Sequence, residues 1–167
     1  MIEVQNAIKT FDGNQVLKNV SAIFEAGKTN LIIGQSGSGK TVLMKSIVGI
    51  HRIDSGHILY DGRDITIMKR KQLNQLRREI GMLFQGSALF DSMTVLENVR
   101  FPLDMFSDET EDEKDRRARF CLERVELSHA VDLYPSEISG GMQKRAAIAR
   151  AIVLNPKYLF CDEPNSG

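Results

Sequence analysis

The sequence has few of the residues that mark several common protein classes. It has no tryptophan, four prolines and only two cysteines, Cys121 and Cys161, which do not form a C-x-x-C pair. This pattern excludes a disulfide-rich scaffold and a cysteine zinc site, and it fits a reducing compartment such as the cytosol. The sequence contains no run of about 18 apolar residues and no signal-peptide pattern at its start. We therefore expect neither a transmembrane segment nor export.

Excess charge of either sign is also lacking. The 22 basic residues balance the 22 acidic ones, for a formal net charge of +0. No overall field attracts nucleic acid or anionic lipid, and we expect no nucleic-acid partner. The 167 residues, 42% of them hydrophobic, are close to the usual length of one domain, about 150 residues. The composition therefore predicts one globular domain with a substantial core.

Periodicity and turn residues predict the order of the elements. Residues 1–26 alternate and break at Gly13, which predicts two antiparallel strands. Further strands are predicted over 29–33, 56–60 and 80–84, and helices over 42–50 and 68–78. Residues 86–155 lose the strand pattern and instead predict three helices, which begin near 94, 109 and 139, before a last strand at 158–161.

This order predicts an α/β protein, with an α/β core over 1–85 and 156–167 and a small antiparallel sheet at the front. A helical subdomain over 86–155 interrupts the core.

A glycine-rich loop lies between the strand predicted at 29–33 and the following helix. It fits G-x-x-x-x-G-K-[ST], the pattern of a loop that binds nucleotide phosphates. Glycines allow consecutive backbone N–H groups to face one phosphate, the lysine reaches the β- and γ-phosphates, and the threonine hydroxyl is suited to Mg²⁺. The candidate nucleotide-binding residues are Gly34, Gln35, Ser36, Gly37, Ser38, Gly39, Lys40 and Thr41.

Two further motifs carry groups that a triphosphate site needs. Asp162 and Glu163 follow the strand at 158–161, where ligands collect in parallel sheets, and suit a metal and an attacking water. Taken alone, this pair favours a solvated acidic turn, and the metal-site interpretation depends on the phosphate loop beside it. Ser139, Gly140 and Gly141 open a helix whose first turn has free N–H donors, a second anion-binding surface, although an ordinary capped helix has the same pattern.

In their order along the chain, GQSGSGKT, Gln85, ISGGMQKR and YLFCDEP resemble the motifs of the ATP-binding cassette (ABC) ATPases. The resemblance covers nearly the whole chain and identifies the loop at 34–41 as Walker A. Gln85 is then similar to the Q-loop glutamine, and Ser139 to Gly141 to the signature motif. Asp162 resembles the Walker B aspartate and Glu163 the catalytic glutamate.

The resemblance implies a mechanism. ATP binds with Mg²⁺, and the metal is held by Thr41, Gln85 and Asp162, while Lys40, Gln85 and Glu163 act in hydrolysis. Two chains pair head to tail, so that the signature motif of one closes on the nucleotide of the other. Phe11 resembles the aromatic residue that stacks on adenine, and a core position at a strand end is the alternative.

The family also implies partners. The apolar stretch 87–106 lies where the helical subdomain contacts a coupling helix of integral-membrane permease subunits, although internal packing is an alternative for each of its residues. The chain would then lie at the cytoplasmic, inner face of the cell membrane.

Two other functions are candidates. One is a soluble ABC ATPase that acts on DNA or ribosomes, and the other is a module that binds ATP without hydrolysing it.

Two features depart from the common family pattern. Met142 follows the two glycines where glutamine is usual, and this form, together with segment 81–103, resembles the ATPases of Mla- or Mce-associated importers. That resemblance implies phospholipid cargo and a lipid-binding partner, whereas core packing of Met142 with Ile138, Ala146 and Ala149 is the alternative.

The family also continues past Gly167 with a D-loop and a switch histidine. We therefore expect residues 1–167 alone to bind nucleotide weakly and hydrolyse it slowly or not at all.

Overall fold

The computed structural model describes residues 1–84 and 86–162, which form two compact units, Met1–Gln75 and Leu76–Gly167. The elements, in chain order, are β1 (Ile2–Phe11), β2 (Asn14–Phe24), α1 (Lys40–Ile47), β3 (Ser55–Tyr60), β4 (Arg63–Asp64), α2 (Arg70–Arg78), β5 (Ile80–Leu83), α3 (Val95–Phe106), α4 (Glu111–Arg124), α5 (Gly140–Ile152) and β6 (Tyr158–Cys161). Short 3-10 turns at Ser128–Ala130 and Pro135–Glu137 lie between α4 and α5.

The first unit is built on an antiparallel sheet with the strand order β2-β1-β3-β4. Alternate apolar residues of β1, such as Ile2 and Val4, are buried, as expected for a strand with one face on a core. Helix α1 buries one face, and the buried Tyr60 hydroxyl of β3 donates a 2.9 Å hydrogen bond to the carbonyl oxygen of Ile47 at the end of this helix. This bond fixes the end of α1 against the sheet.

The strand predicted over 29–33 is wrong. Residues 29–35 are irregular, and among the described residues no strand pairs with them. Leu31 and Ile33 are 80% and 87% exposed. A strand exists through hydrogen bonds to a neighbouring strand, and an apolar run alone cannot supply that neighbour.

The second unit joins a pair of parallel strands to three helices. β5 pairs with β6 from Ile80 opposite Tyr158 to Leu83 opposite Cys161. Threonine capping boxes begin α3 and α4, which satisfies backbone donors at both helix starts. The apolar faces of α3, α4 and α5 form one core cluster of residues between Val95 and Val153.

Apart from residues 29–33, the predicted strands and helices form close to their expected positions, and the α/β fold class is confirmed. The core cluster of the helices lies inside the predicted helical subdomain at 86–155. The division of the chain into that subdomain and a core over 1–85 and 156–167 remains a prediction. Within the described ranges, no helix is long and apolar enough to cross a bilayer.

Candidate functional site

The loop at residues 34–41 ends against β2. Gly39 precedes the first residue of α1 and has a φ of 92°, a conformation that side chains disfavour. A Cβ on Gly39 would lie 3.1 Å from Cγ1 of Val16 and 3.3 Å from its carbonyl oxygen. Glycine is therefore needed here both for the backbone angle and for the close approach of the loop to the sheet.

The side chain of Lys40 turns back over the loop that precedes it. Its Nζ atom donates hydrogen bonds to the carbonyl oxygens of Gly34 at 2.8 Å and Gln35 at 2.9 Å. The backbone N–H of Ser38 donates to the same Gln35 oxygen at 3.2 Å, which closes a tight turn. The loop is thus compact, with its single cation beside the positive N-terminal end of α1. The residues predicted to bind phosphate, 34 to 41, all lie in this loop and the first turn of α1.

The predicted metal ligands lie at the ends of regular elements. Thr41 is in the first turn of α1. Asp162 directly follows β6, and its backbone N–H donates to the carbonyl oxygen of Leu83 at 2.9 Å. A hydroxyl and a carboxylate are hard oxygen donors of the kind that Mg²⁺ prefers, so these residue types fit the ion. Gln85 and Glu163 lie outside the described residues.

The predicted signature motif forms an open helix start. The Ser139 Oγ atom caps α5 by accepting a 3.3 Å hydrogen bond from the Met142 N–H. Within the described part of the chain, a Cβ placed on Gly140 would meet no heavy atom within 4 Å, and one on Gly141 would meet only the Ser139 Oγ atom. An anion or another chain can therefore approach the N-terminal end of α5 closely.

Phe11 ends β1 at the protein surface. The side chain is 37% exposed, which disfavours the core position considered as its alternative. The ring packs against the His51 ring, with the centroids 5.3 Å apart and the planes at 73°, and the Lys9 Nζ atom is 5.1 Å from the Phe11 centroid. The exposed part of the Phe11 ring is available to a flat ligand.

Two polar residues that the sequence did not single out hold the segment after Gln85. Asn98 is fully buried in α3, and the two hydrogens of its side-chain NH2 group are shared among three carbonyl oxygens, those of Phe90, Met93 and Thr94, at 3.0 to 3.1 Å. The Asn98 Oδ1 atom accepts from the Phe90 N–H at 2.7 Å. An asparagine inside the apolar stripe of a helix is the one sequence signal that could have indicated this role.

Arg150 of α5 makes the corresponding contacts to residues 87 and 88. Its two terminal nitrogens donate to the carbonyl oxygens of Ala88 and Ser87, each at 2.8 Å. Burial lowers the pKa of the Arg150 guanidinium from its ordinary value. A half-buried arginine with carbonyl partners depends on the tertiary structure, and the sequence pattern alone cannot reveal it.

Met142 takes part in the core of the second unit. It is partly buried and packs against the cluster that contains Ile138, Ala146 and Ala149. The packing alternative therefore accounts for a methionine at this position. Its neighbour Gln143 donates to the carbonyl oxygen of Pro135 at 2.8 Å, which fixes the turn before α5.

A glycine-rich loop before a helix, with its carbonyl oxygens bound by the lysine that begins this helix, is the arrangement of a P-loop nucleotide-binding protein. Residues 17–166 match the family model described as ABC transporter, and the chain belongs to this family.

Relatives agree with this assignment. The chain is 41% identical over 166 residues to the probable ribonucleotide transport ATP-binding protein mkl of Mycobacterium leprae (strain TN). The match covers 99% of this chain and 48% of that protein. It is 41% identical over 170 residues to the methionine import ATP-binding protein MetN of Escherichia coli (strain K12), covering 99% of this chain and 49% of that one. The chain thus spans about half the length of these curated relatives.

Solved structures give the same fold. The dimeric structure of the ATP-binding cassette MJ0796 in a post-hydrolysis state, bound to ADP and Pi, matches 99% of this chain and 75% of that one. The TM-score is 0.90 and the sequence identity is 32%. The fold of the chain is therefore that of the ABC ATPases.

Proposed function

We propose that this chain is the ATP-binding and ATP-hydrolysing part of an ABC transporter. The observation that carries the proposal is the loop at 34–41, where the Lys40 ammonium is held by the Gly34 and Gln35 carbonyls beside the start of α1. Phosphate oxygens are stronger partners for an ammonium than neutral carbonyls are, because the bond is then charge-assisted on both sides. Lys40 can therefore exchange its hydrogen bonds to these carbonyl oxygens for hydrogen bonds to the phosphates of a nucleoside triphosphate.

Each site residue has a role in hydrolysis. Backbone N–H groups of the loop and the end of α1 hold the phosphates, and Lys40 stabilises negative charge on the γ-phosphate. Thr41, Gln85 and Asp162 would hold Mg²⁺, which when bound neutralises phosphate charge. Glu163 accepts a proton from a water molecule while the oxygen of that water bonds to the γ-phosphorus. The bond between the γ-phosphorus and the β–γ bridging oxygen breaks, which gives ADP and phosphate.

The second anion-binding surface supports a head-to-tail pair of chains. We propose that Ser139, Gly140 and Gly141 of one chain contact the γ-phosphate bound by the other, since the start of α5 is open. The MJ0796 cassette is itself described as dimeric, with ADP and Pi bound. Hydrolysis removes the phosphate that links the two chains, and the pair opens.

Replacing Glu163 with glutamine tests this proposal. We expect ATP turnover in the intact protein to fall by about 100-fold, since proton acceptance by a positioned base contributes at least that much. ATP binding should persist, and the unhydrolysed nucleotide should hold two chains together, which size-exclusion chromatography with light scattering detects. Glu109→Gln, an exposed position before α4, is the matched control and should leave turnover unchanged. Unchanged turnover in Glu163→Gln would remove the assigned base.

We further propose that permease subunits bind the second unit, which brings the chain to the inner, cytoplasmic face of the membrane. A cavity of about 250 Å³ in this unit is lined mainly by apolar side chains, among them Met82, Phe84, Phe90, Phe101 and Phe106. Arg77 and Arg150 also line it. An apolar groove of this kind suits the apolar face of a partner helix, and the family resemblance assigns the coupling helix of the permease to this region.

Phospholipid is the proposed cargo, with a lipid-binding partner beside the permease. The proposal rests on the resemblance of segment 81–103 and of the glycine-glycine-methionine form to lipid importers, although core packing also accounts for Met142. Methionine is the second candidate, since a relative with 41% identity is named for methionine import.

Purification of the complex from membranes, with mass spectrometry of its subunits and bound lipid, separates these cargoes. We expect the permease to co-purify with phospholipid and a lipid-binding subunit. Co-purification with an amino-acid or sugar permease, free of phospholipid, would overturn the lipid assignment and leave the ATPase assignment intact.

A further inference from the structure

His51 is attached to the far end of the helix that carries the phosphate loop. The backbone N–H groups of Ile50 and His51 both donate to the carbonyl oxygen of Lys45, at 2.8 and 3.1 Å, in the last turn of α1. The position of the His51 backbone therefore follows the position of α1, whose other end begins at Lys40.

The ring of His51 packs against Phe11. The centroids lie 5.3 Å apart, and the 73° angle between the planes corresponds to an edge-to-face pair. This geometry is favourable because the positive edge of one ring meets the negative face of the other. His51 is thus in contact with both the helix of the phosphate loop and the exposed aromatic residue at the end of β1.

Asp54, which follows His51 in the chain, holds the same end of β1 by hydrogen bonds. The Asp54 N–H donates to the carbonyl oxygen of Ile8 at 2.8 Å, and the Asp54 carboxylate accepts from the Thr10 N–H at 2.6 Å and from Lys9 Nζ at 2.8 Å. The hydrogen bond from Lys9, followed by that from Thr10, lowers the pKa of Asp54. Asp54 therefore holds the end of β1 through its backbone and the Lys9 side chain, and the Phe11 ring contacts His51 as well as the Lys9 ammonium.

We propose that His51 is a positioning residue that holds the Phe11 ring as the binding surface for the base of a nucleotide. The inference rests on the proposed function, because it concerns the base whose phosphates the loop at 34–41 would bind. A phenylalanine at a strand end has several rotamers, and a ring that is already held loses less freedom when a base stacks on it. Loss of His51 should therefore weaken recognition of the base and spare recognition of the phosphates.

The test compares two ligands of the intact protein that differ only in whether they carry a nucleoside: ADP and inorganic pyrophosphate, both with Mg²⁺. Isothermal titration gives the dissociation constant of ADP, and competition gives that of pyrophosphate. We expect His51→Ala to weaken ADP binding by about 2- to 10-fold, the range that corresponds to one aromatic pair. Pyrophosphate binding should stay unchanged.

Two further variants make the result specific. His51→Phe keeps an aromatic ring against Phe11 and should restore most of the preference for ADP. His57→Ala removes a histidine of the same unit that binds Asp64 at 2.7 Å and should change neither affinity.

Equal loss of both ligands in His51→Ala, or no loss of either, would overturn the positioning role alone. An unmodified protein that binds neither ligand would overturn the proposed function and this inference with it.

Discussion

Replacing Lys40 with alanine is expected to lower the rate of ATP hydrolysis by about 1000-fold, the largest effect on activity among the site residues. Two losses combine in this variant. The transition state loses a positive charge beside the γ-phosphate, and the loop loses the donor that now joins the carbonyl oxygens of Gly34 and Gln35. Nucleotide binding should weaken as well, because the same ammonium contacts the phosphates before the reaction.

Steady-state phosphate release and titration with MgADP measure the two losses separately. Lys45→Ala is the matched control, since Lys45 lies on the same helix in its last turn, at the end away from the loop. This control should keep at least about half of the wild-type rate, as is usual for a substitution outside the site. A Lys40→Ala protein that hydrolyses ATP at nearly the wild-type rate would contradict the assignment of the loop at 34–41.

Replacing Gly56 with alanine is expected to lower the free energy of unfolding by about 4 kcal/mol. Gly56 lies in β3 with a φ of 93°, and an added Cβ would lie 2.5 Å from the carbonyl oxygens of both Gln5 and Asn6. Those oxygens belong to the backbone of β1 and cannot move aside without breaking the pairing of β1 with β3. Strain in the backbone angle and overlap with β1 therefore add together.

Gly62→Ala separates these two causes. Gly62 has a similar φ of 79°, and among the described residues no heavy atom lies within 4 Å of a Cβ built on it. This variant should lose only the strain term, about 1 to 2 kcal/mol. Urea denaturation followed by circular dichroism gives both values, and equal losses in the two variants would mean that contact with β1 contributes nothing.

Local signals in the sequence were sufficient for most of the secondary structure. Thr94 and Ser139 were predicted at the starts of α3 and α5 because each is a capping residue before an apolar period of 3.6, and the structure has both as N-caps. The loop at 34–41 was recognisable because its pattern encodes backbone geometry directly. Each of these features depends on residues within a few positions of one another.

The features that the sequence did not reveal depend on distant partners. Residues 29–33 have the composition of a strand, yet a strand requires a neighbour, and Leu31 and Ile33 remain exposed without one in the described part of the chain. The contact of His51 with Phe11 joins residues that the chain brings together only through β1, α1 and the Asp54 hydrogen bonds. Periodicity cannot report such contacts, because it contains no information on which surfaces meet.

The hydrogen bonds of Asn98 and Arg150 have a mechanical consequence. Asn98 ties residues 90 to 94 to α3, and Arg150 ties residues 87 and 88 to α5. A segment joined to two helices at two separate points breaks these hydrogen bonds if it shifts by itself, at a cost of about 1 to 3 kcal/mol for the buried Asn98 amide. We therefore expect a force applied to residues 87 to 94 to reach α3 and α5 together.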